Sequence, residues 1–355
     1  LKAEIDTIMD NVVQMGLNTV YFQVRPCGDA LYPSQYYPSS SYVVKNQGDA
    51  LPTDILAYAI ESAHSRGLEL HAWINPYRVT HTTTSTSGLA SSNPAIQHPE
   101  WVVSNGTKLY LNPGLPEVRQ YITDGVMEIV RNYDVDGIHF DDYFYPSELG
   151  SWNDDDAYNK YGNGMTRADW RRSNNDALIR GVHEAIEAHD SSVSFGVSPA
   201  AVWAMSSHVS GGVDIPGGAY ETYSQAYADT KKWVENEWLD YICPQVYFQM
   251  NHSKAPFKPI VDWWNALVAD TDVRLYIGIA AYKCGGSDSV ADFAGGAEIP
   301  AQLDYLDSCA NVDGAVFYNY DSLMSNYAGV RDVVRNRYYK EPVSLTRRGK
   351  SMHDC

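Results

Sequence analysis

The chain carries few basic residues for its length. Its 355 residues include 26 Lys and Arg against 44 Asp and Glu, which gives a formal net charge of −18. A nucleic-acid-binding protein normally presents a basic face to the phosphates, and no run of this sequence is rich in Lys or Arg. No apolar run reaches about 18 residues, the length that a membrane-spanning helix needs. The sequence therefore predicts neither a nucleic-acid partner nor a transmembrane segment, and it does not indicate any protein partner.

Motifs of several enzyme classes are also missing. The five cysteines are odd in number and form no CxxC pair, which argues against a zinc knuckle and a disulfide framework. The sequence has no HxH or HExxH motif, no GxSxG, no Walker loop and no GxGxxG. We therefore expect no cofactor and no catalytic metal.

Tyrosine and tryptophan, by contrast, are abundant. The chain has 27 Tyr and 9 Trp against only 8 Phe. Both side chains offer an apolar face together with a polar edge, a combination that suits contact with sugar rings. Many of them could equally pack the loops of a large domain, so this composition alone does not decide between a binding role and a structural one.

Apolar strands alternate with amphipathic helices along the chain. This alternation predicts a parallel sheet covered by helices. The predicted strands span residues 19–24, 68–74, 137–140, 193–197, 241–247, 275–280 and 315–318. The predicted helices span residues 1–15, 54–66, 116–132, 168–189, 222–237, 259–269, 300–309 and 330–339.

Every predicted strand carries a polar residue at its carboxyl end. These residues are Arg25, Asn75, Asp141, Ser198, Gln245, Tyr282 and Asn319. An open doubly wound sheet would gather such residues at one crevice, whereas a barrel places its site across all the strand ends. We therefore predict a TIM-type (β/α)8 barrel over residues 1–340, followed by a flexible tail over residues 341–355.

The strand count is one short of eight. The short apolar segment 109–111 could be the missing strand, or the first strand could lie upstream of this chain. The opening on a helix favours the second alternative, a barrel that lacks its first strand here.

The segment 136–146 carries the most specific chemical signal, because an apolar strand runs directly into two acids and then into aromatic residues. Strand alternation predicts that His139 and Asp141 share a face and that Asp142 points away. A carboxylate at a strand end suits a glycosidase nucleophile or a stabiliser of positive charge. Asp141 is the predicted catalytic carboxylate, and Asp142, Asp29 and Glu221 compete for the role of general acid.

Other polar and aromatic side chains near the strand ends are predicted to bind substrate. They are Gln23, Arg25, His71, Trp73, Asn75, Arg78, His139, Tyr143, Gln245, Tyr247 and Tyr282.

Several of these segments together resemble the glycosyl hydrolase-like 10 family. The resemblance rests on residues 22–32, 71–78, 112–119, 134–146, 196–199 and 240–247. It implies a TIM-type barrel and glycosidase activity on bacterial cell-wall glycan (peptidoglycan strands) or a related polysaccharide. It also implies a periplasmic, cell-envelope or secreted location.

A second function stays open at this stage. Hydrolysis needs two carboxyl groups in one cleft, and only Asp141 is strongly placed by the sequence. A non-catalytic carbohydrate-binding barrel of the cell envelope is therefore the alternative.

Overall fold

Seven parallel strands form the central sheet of the protein, seen in a computed structural model. The structure describes residues 1–142 and 144–340, and beyond them only two short paired strands. The predicted flexible tail, residues 341–355, otherwise lies outside the described residues.

The strands of the structure are β1 Thr19–Arg25, β2 Glu69–Ile74, β3 Val102–Ser104, β4 Leu109–Leu111, β5 Gly137–Phe140, β6 Ser194–Val197, β7 Tyr241–Ile242, β8 Arg274–Ala280, β9 Val312–Tyr318, β10 Thr346–Arg347 and β11 Lys350–Ser351. Seven of them form the central sheet, in which neighbours pair in the order β1-β2-β5-β6-β7-β8-β9. The helices are α1 Lys2–Gln14, α2 Ile55–His64, α3 Pro94–Gln97, α4 Pro116–Asn132, α5 Asp155–Tyr161, α6 Arg167–His189, α7 Thr222–Gln225, α8 Thr230–Glu235, α9 Phe257–Leu267, α10 Ala291–Ala294, α11 Glu298–Leu306, α12 Tyr320–Met324 and α13 Val330–Val333.

The two faces of the sheet differ in character, as the period of two in a strand requires. In β2, Leu70, Ala72 and Ile74 are fully buried in the apolar layer between sheet and helices. The alternate residues His71 and Trp73 face a cavity on the inner side of the sheet. Polar and aromatic side chains are thereby directed into the barrel interior.

The sheet is that of a (β/α)8 barrel with one strand missing, as predicted. The segment 109–111 is not the eighth strand, because Leu109–Leu111 pairs antiparallel with Val102–Ser104 in a separate ladder. Among the described residues, no strand pairs with the outer edge of β1 or of β9.

Several predicted elements are shorter than expected. The helix over 330–339 is α-helical only over Val330–Val333 and continues as a π-helix over Val334–Tyr338. The strand over 241–247 ends at Ile242, and beyond it only isolated bridges join Gln245 to its neighbours. Pro244 lacks the N–H that a continuing ladder needs. The helix over 222–237 is divided into α7 and α8 where Tyr227 adopts a positive φ of 51°. No helix among residues 1–142 and 144–340 is both long and apolar enough to cross a membrane.

Candidate active site

A cavity of about 960 Å³ extends along the inner face of the sheet, and both carboxyl groups at the end of β5 line it. Among the predicted binding residues, His71, Trp73, His139, Gln245, Tyr247 and Tyr282 line the same cavity. The carboxyl ends of parallel strands meet at one end of a barrel, and this is the end at which β5 delivers Asp141.

Three hydrogen-bond donors converge on the carboxylate of Asp141. The Trp73 indole donates from Nε1 to Oδ2 over 3.0 Å. The Gln245 amide and the Asp142 backbone N–H donate to Oδ1 over 3.4 Å and 2.8 Å. All three contacts are donors, so they occupy acceptor positions of the Asp141 carboxyl group and hold it in one orientation. Asp141 is itself 7% exposed.

Asp142 faces the same cavity as Asp141, and the expectation that it points away is wrong. The strand ends at Phe140, so the alternation of side chains no longer applies to the residue two positions later. Burial, and after it the charge of Asp141 and a hydrogen bond with its side chain, raise the pKa of Asp142 well above its ordinary value. The pair therefore combines one hydrogen-bonded carboxylate with one carboxyl group that retains its proton.

Aromatic rings surround this pair. The Tyr318 ring lies 6.5 Å from that of Trp73, 6.1 Å from that of Tyr247 and 5.8 Å from that of Tyr282, centre to centre. Tyr318 is 41% exposed, unlike most aromatic residues of the chain. Rings that are half-buried and carry a polar edge can stack against the apolar face of a sugar while their hydroxyl groups remain solvated.

The lower wall of the cavity is a buried polar cluster. The Tyr241 hydroxyl lies 3.0 Å from Nδ1 of His71 and 2.9 Å from Nδ1 of His139. A hydroxyl has one proton to donate, so it donates to one imidazole and accepts from the other, which requires different tautomers of the two histidines. Burial, and then the charge of His71, lower the pKa of His139 to about 3, so its ring is neutral at ordinary pH.

Other predicted binding residues lie away from the cavity. The guanidinium of Arg25 packs 3.9 Å from the centre of the Tyr37 ring, next to Gly125 of α4. The register shift between Gln23 and Arg25 accompanies this change of direction. Asn75 is fully buried and donates to the carbonyl of Pro26.

The other three predicted binding residues are Gln23, Arg78 and Tyr143. Gln23 is half-buried opposite Trp73 in the β1–β2 ladder. Arg78 is buried, and its charge acts on the carboxyl group of Asp142 in the direction that lowers its pKa. Tyr143 lies outside the described residues.

The two competing acids, Asp29 and Glu221, are buried in loops outside the cavity lining. Asp29 accepts a hydrogen bond from Gln47 over 3.2 Å, and burial raises its pKa. Burial alone would raise the pKa of Glu221. Hydrogen bonds from the Met205 backbone, His208 and Ser224 together lower its pKa. Glu221 is thus suited to anchoring its loop rather than to giving up a proton.

Two aromatic residues at or near the site were not singled out from the sequence. Tyr318 ends β9, and the rule that chemistry gathers at strand ends could have identified it. Tyr220 lies in a loop, where no sequence pattern indicates its partner. Burial, and after it the Asp142 carboxyl group, raise the pKa of Tyr220, which is not among the residues that line the cavity.

Comparison with known sequences gives matches over most of the chain. Residues 1–293 match the sequence profile of the Glycosyl hydrolase-like 10 family. The chain is 41% identical over 336 residues to "Glycosyl hydrolase DigH" of Escherichia coli strain K12, which spans 91% of this chain and 76% of that protein. It is 36% identical over 345 residues to "Glycosyl hydrolase YngK" of Bacillus subtilis strain 168, which spans 96% of this chain and 67% of that protein.

Solved structures share the fold at low sequence identity. The glycoside hydrolase domain of PgaB (BpsB) from Bordetella bronchiseptica superposes with a TM-score of 0.59 at 13% identity, covering 93% of this chain and 91% of that one. A β-galactosidase from the psychrophilic Marinomonas ef1 gives a TM-score of 0.54 at 10% identity, covering 90% of this chain and 52% of that one. These similarities agree with the barrel architecture.

Proposed function

Since the chain belongs to the glycosyl hydrolase-like 10 family, we propose that it hydrolyses O-glycosidic bonds in bacterial cell-wall glycan or a related polysaccharide. The proposal places the protein in the periplasm, in the cell envelope or outside the cell, where such glycan lies. A glycosidase-type function already follows from the family, whereas the substrate and the roles of individual residues belong to the proposal.

One observation carries the proposal: two carboxyl groups with opposite surroundings share one cavity. Glycosidic bond cleavage needs an acid that protonates the leaving oxygen and a negative group that stabilises charge at the anomeric carbon. Pairs of titratable groups whose environments separate their pKa values commonly divide these two roles. The raised pKa of Asp142 suits the general acid, and the three donors on Asp141 suit the stabilising carboxylate.

The contact between the Asp141 and Asp142 carboxyl groups restricts which group can act as the nucleophile. Enzymes that use two separate carboxylates hold them about 5–9.5 Å apart. Asp141 and Asp142 are in direct hydrogen-bonding contact, which leaves no room for a sugar carbon or a water between them. We therefore propose that the substrate supplies the nucleophile, through the carbonyl oxygen of a 2-acetamido group, as in substrate-assisted glycosidases. Asp141 then accepts from the acetamido N–H and stabilises the positive charge that develops on that group.

The aromatic rings supply the binding surface in this account. The rings of Trp73, Tyr247, Tyr282 and Tyr318 lie around the carboxyl pair and offer faces on which a sugar can stack. A polysaccharide fits better than a small polar metabolite, since several aromatic rings line the cavity beside the acids.

Turnover on peptide-free cell-wall glycan tests the proposal. The wild-type protein should release shorter glycans, and strands that have been chemically N-deacetylated should be cut at least about a hundredfold more slowly, because the internal nucleophile is removed. Equal rates on both substrates would refute the acetamido mechanism. Binding of glycan without any cleavage would instead support a non-catalytic carbohydrate-binding barrel.

A further inference from the structure

Three side chains with metal-binding donors meet at the other end of the barrel from the carboxyl pair. His183 and Glu187 are one helical turn apart near the end of α6, so their side chains lie on the same face of the helix. Asp240 lies immediately before β7, at the amino end of the sheet. Asp141 follows the carboxyl end of β5, so the parallel sheet separates the two groups.

The donor atoms of this group lie close together. One atom each from His183, Glu187 and Asp240 fall within 4.8 Å of one another. Among residues 1–142 and 144–340, this is the one cluster of three such donors with this spacing. The side chains of His183 and Asp240 are 16% and 10% exposed, so solvent is largely excluded on that side.

The contact between His183 and Asp240 is longer than a hydrogen bond. Nε2 of His183 is buried and makes no hydrogen bond, and it lies 3.9 Å from Oδ1 of Asp240. The other carboxylate oxygen, Oδ2, accepts from the backbone N–H of Phe195 over 2.7 Å, which directs Oδ1 towards the imidazole. A direct hydrogen bond would be about 2.7–3.2 Å long.

Coordination of one ion would hold the donor atoms slightly closer together than the 3.9 Å seen between His183 and Asp240. Two ligands that each lie about 2.0–2.2 Å from one tetrahedral ion are about 3.3–3.6 Å apart. One imidazole nitrogen with two carboxylate oxygens is a donor set suited to a borderline ion rather than to Mg²⁺ or Ca²⁺, which prefer oxygen alone. We propose that His183, Glu187 and Asp240 form a Zn²⁺ site, completed by water.

The site would act on stability and not on catalysis. Two of its ligands belong to α6 and the third to the start of β7, so a bound ion would join the longest helix to the sheet. Asp240 lines the same cavity as the carboxyl pair. The three ligands nevertheless lie at the amino end of the sheet, away from Asp141 and Asp142, so the site stands apart from the proposed glycosidase function.

Zn²⁺ binding to the metal-stripped full chain tests the site. Titration calorimetry should give one ion per chain, and thermal unfolding in a hundredfold excess of Zn²⁺ over its Kd should show a Tm at least about 3 °C higher. Mg²⁺ at the same concentration should leave the Tm unchanged. The affinity should also fall at acidic pH, since a proton competes for the imidazole nitrogen.

Variants assign the site to these side chains. His183→Gln and, independently, Glu187→Gln should weaken Zn²⁺ binding at least tenfold, whereas His98→Gln in the exposed 98–101 segment should leave it intact. Failure of the wild type to bind one Zn²⁺, or unchanged affinity in both His183→Gln and Glu187→Gln, would overturn the proposal. Since the readouts are binding and Tm, loss of glycan cleavage would not affect this result.

Discussion

The carboxyl groups of Asp141 and Asp142 touch each other inside one cavity although the residues are adjacent in sequence. In a continuing strand their side chains would project to opposite faces. The end of β5 at Phe140 brings them together, and their surroundings then separate their protonation states.

Replacing Asp142 by Asn should stabilise the protein most at neutral pH. In the unfolded chain the Asp142 carboxyl group has its ordinary pKa of 3.8, whereas the folded protein retains the proton to a higher pH. The free energy of unfolding therefore falls as pH rises from about 4 towards the raised pKa. Asp142→Asn avoids that loss, so its Tm should match the wild type near pH 4 and exceed it by about 2–4 °C at pH 7. Asp156→Asn, an exposed acid of α5, is the control and should show no such pH-dependent gain.

The same raised pKa sets an expectation for catalysis. A general acid works only while it holds its proton, so kcat/KM should decline as pH rises through the pKa of Asp142. In Asp142→Asn the alkaline limb of the pH profile should disappear along with most of the activity. A profile whose alkaline limb persists in this variant would assign the acid role to another group.

The indole N–H of Trp73 should contribute to turnover through Asp141. Trp73→Phe keeps an aromatic face but removes the hydrogen bond to Oδ2. Hydrogen bonds to charged groups are worth about 1.5–3 kcal/mol, so kcat should fall roughly tenfold to a hundredfold while KM changes little. Trp152→Phe is a matched control, since it removes an indole donor from Asp154, which is outside the cavity lining. Equal losses in the two variants would contradict the assigned role.

Tyr318 should act on binding. Tyr318→Ala removes a partly exposed ring that lies against three other rings of the site. We expect KM for glycan to rise about fivefold to tenfold with a smaller change in kcat, because stacking contributes similarly to ground state and transition state. Tyr305→Ala on the outer helix α11 is the control, and steady-state kinetics of both variants give the comparison.

The neutral state of His139 should limit stability in acid. The ordinary pKa of histidine is 6.5, and the folded protein lowers the pKa of His139 to about 3. The unfolded chain therefore binds the proton first as pH falls. Stability is therefore lost progressively below pH 6.5, by up to about 1.4 kcal/mol per pH unit. His139→Gln should show a flatter fall in the free energy of unfolding between pH 6.5 and 4. An unchanged acid slope, measured by denaturant titration, would contradict this account.

Much of the architecture could be predicted because the strands are apolar runs bounded by turn residues. The seven strands, their parallel order and the missing eighth strand follow from that pattern. The position of Asp141 in the cavity follows as well, since it comes directly after a buried strand. Pro244 shortens β7, and the positive φ of Tyr227 divides the helix before it. Both act on the backbone, so the hydropathy pattern does not show them.

Side-chain direction near strand ends was harder to predict. Asp142 lies beyond the end of β5, and Arg25 lies after the register shift at the end of β1, so the period of two no longer holds for either side chain. Arg25 finds the ring of Tyr37, a residue twelve positions away in a loop. Partners supplied by loops and by distant strands, such as Gln245 for Asp141, depend on the closed fold and leave no local signal.

The central claim is that Asp141 is the stabilising carboxylate of a glycosidase. The most direct test measures turnover of peptide-free glycan strands by Asp141→Asn, a change that keeps the shape of the side chain and removes its charge. An ionised group that acts on the transition state should affect kcat, so we predict a loss of at least about a hundredfold, with glycan affinity and Tm close to those of the wild type. Near-full turnover in Asp141→Asn, with Asp156→Asn as the reference, would contradict the claim.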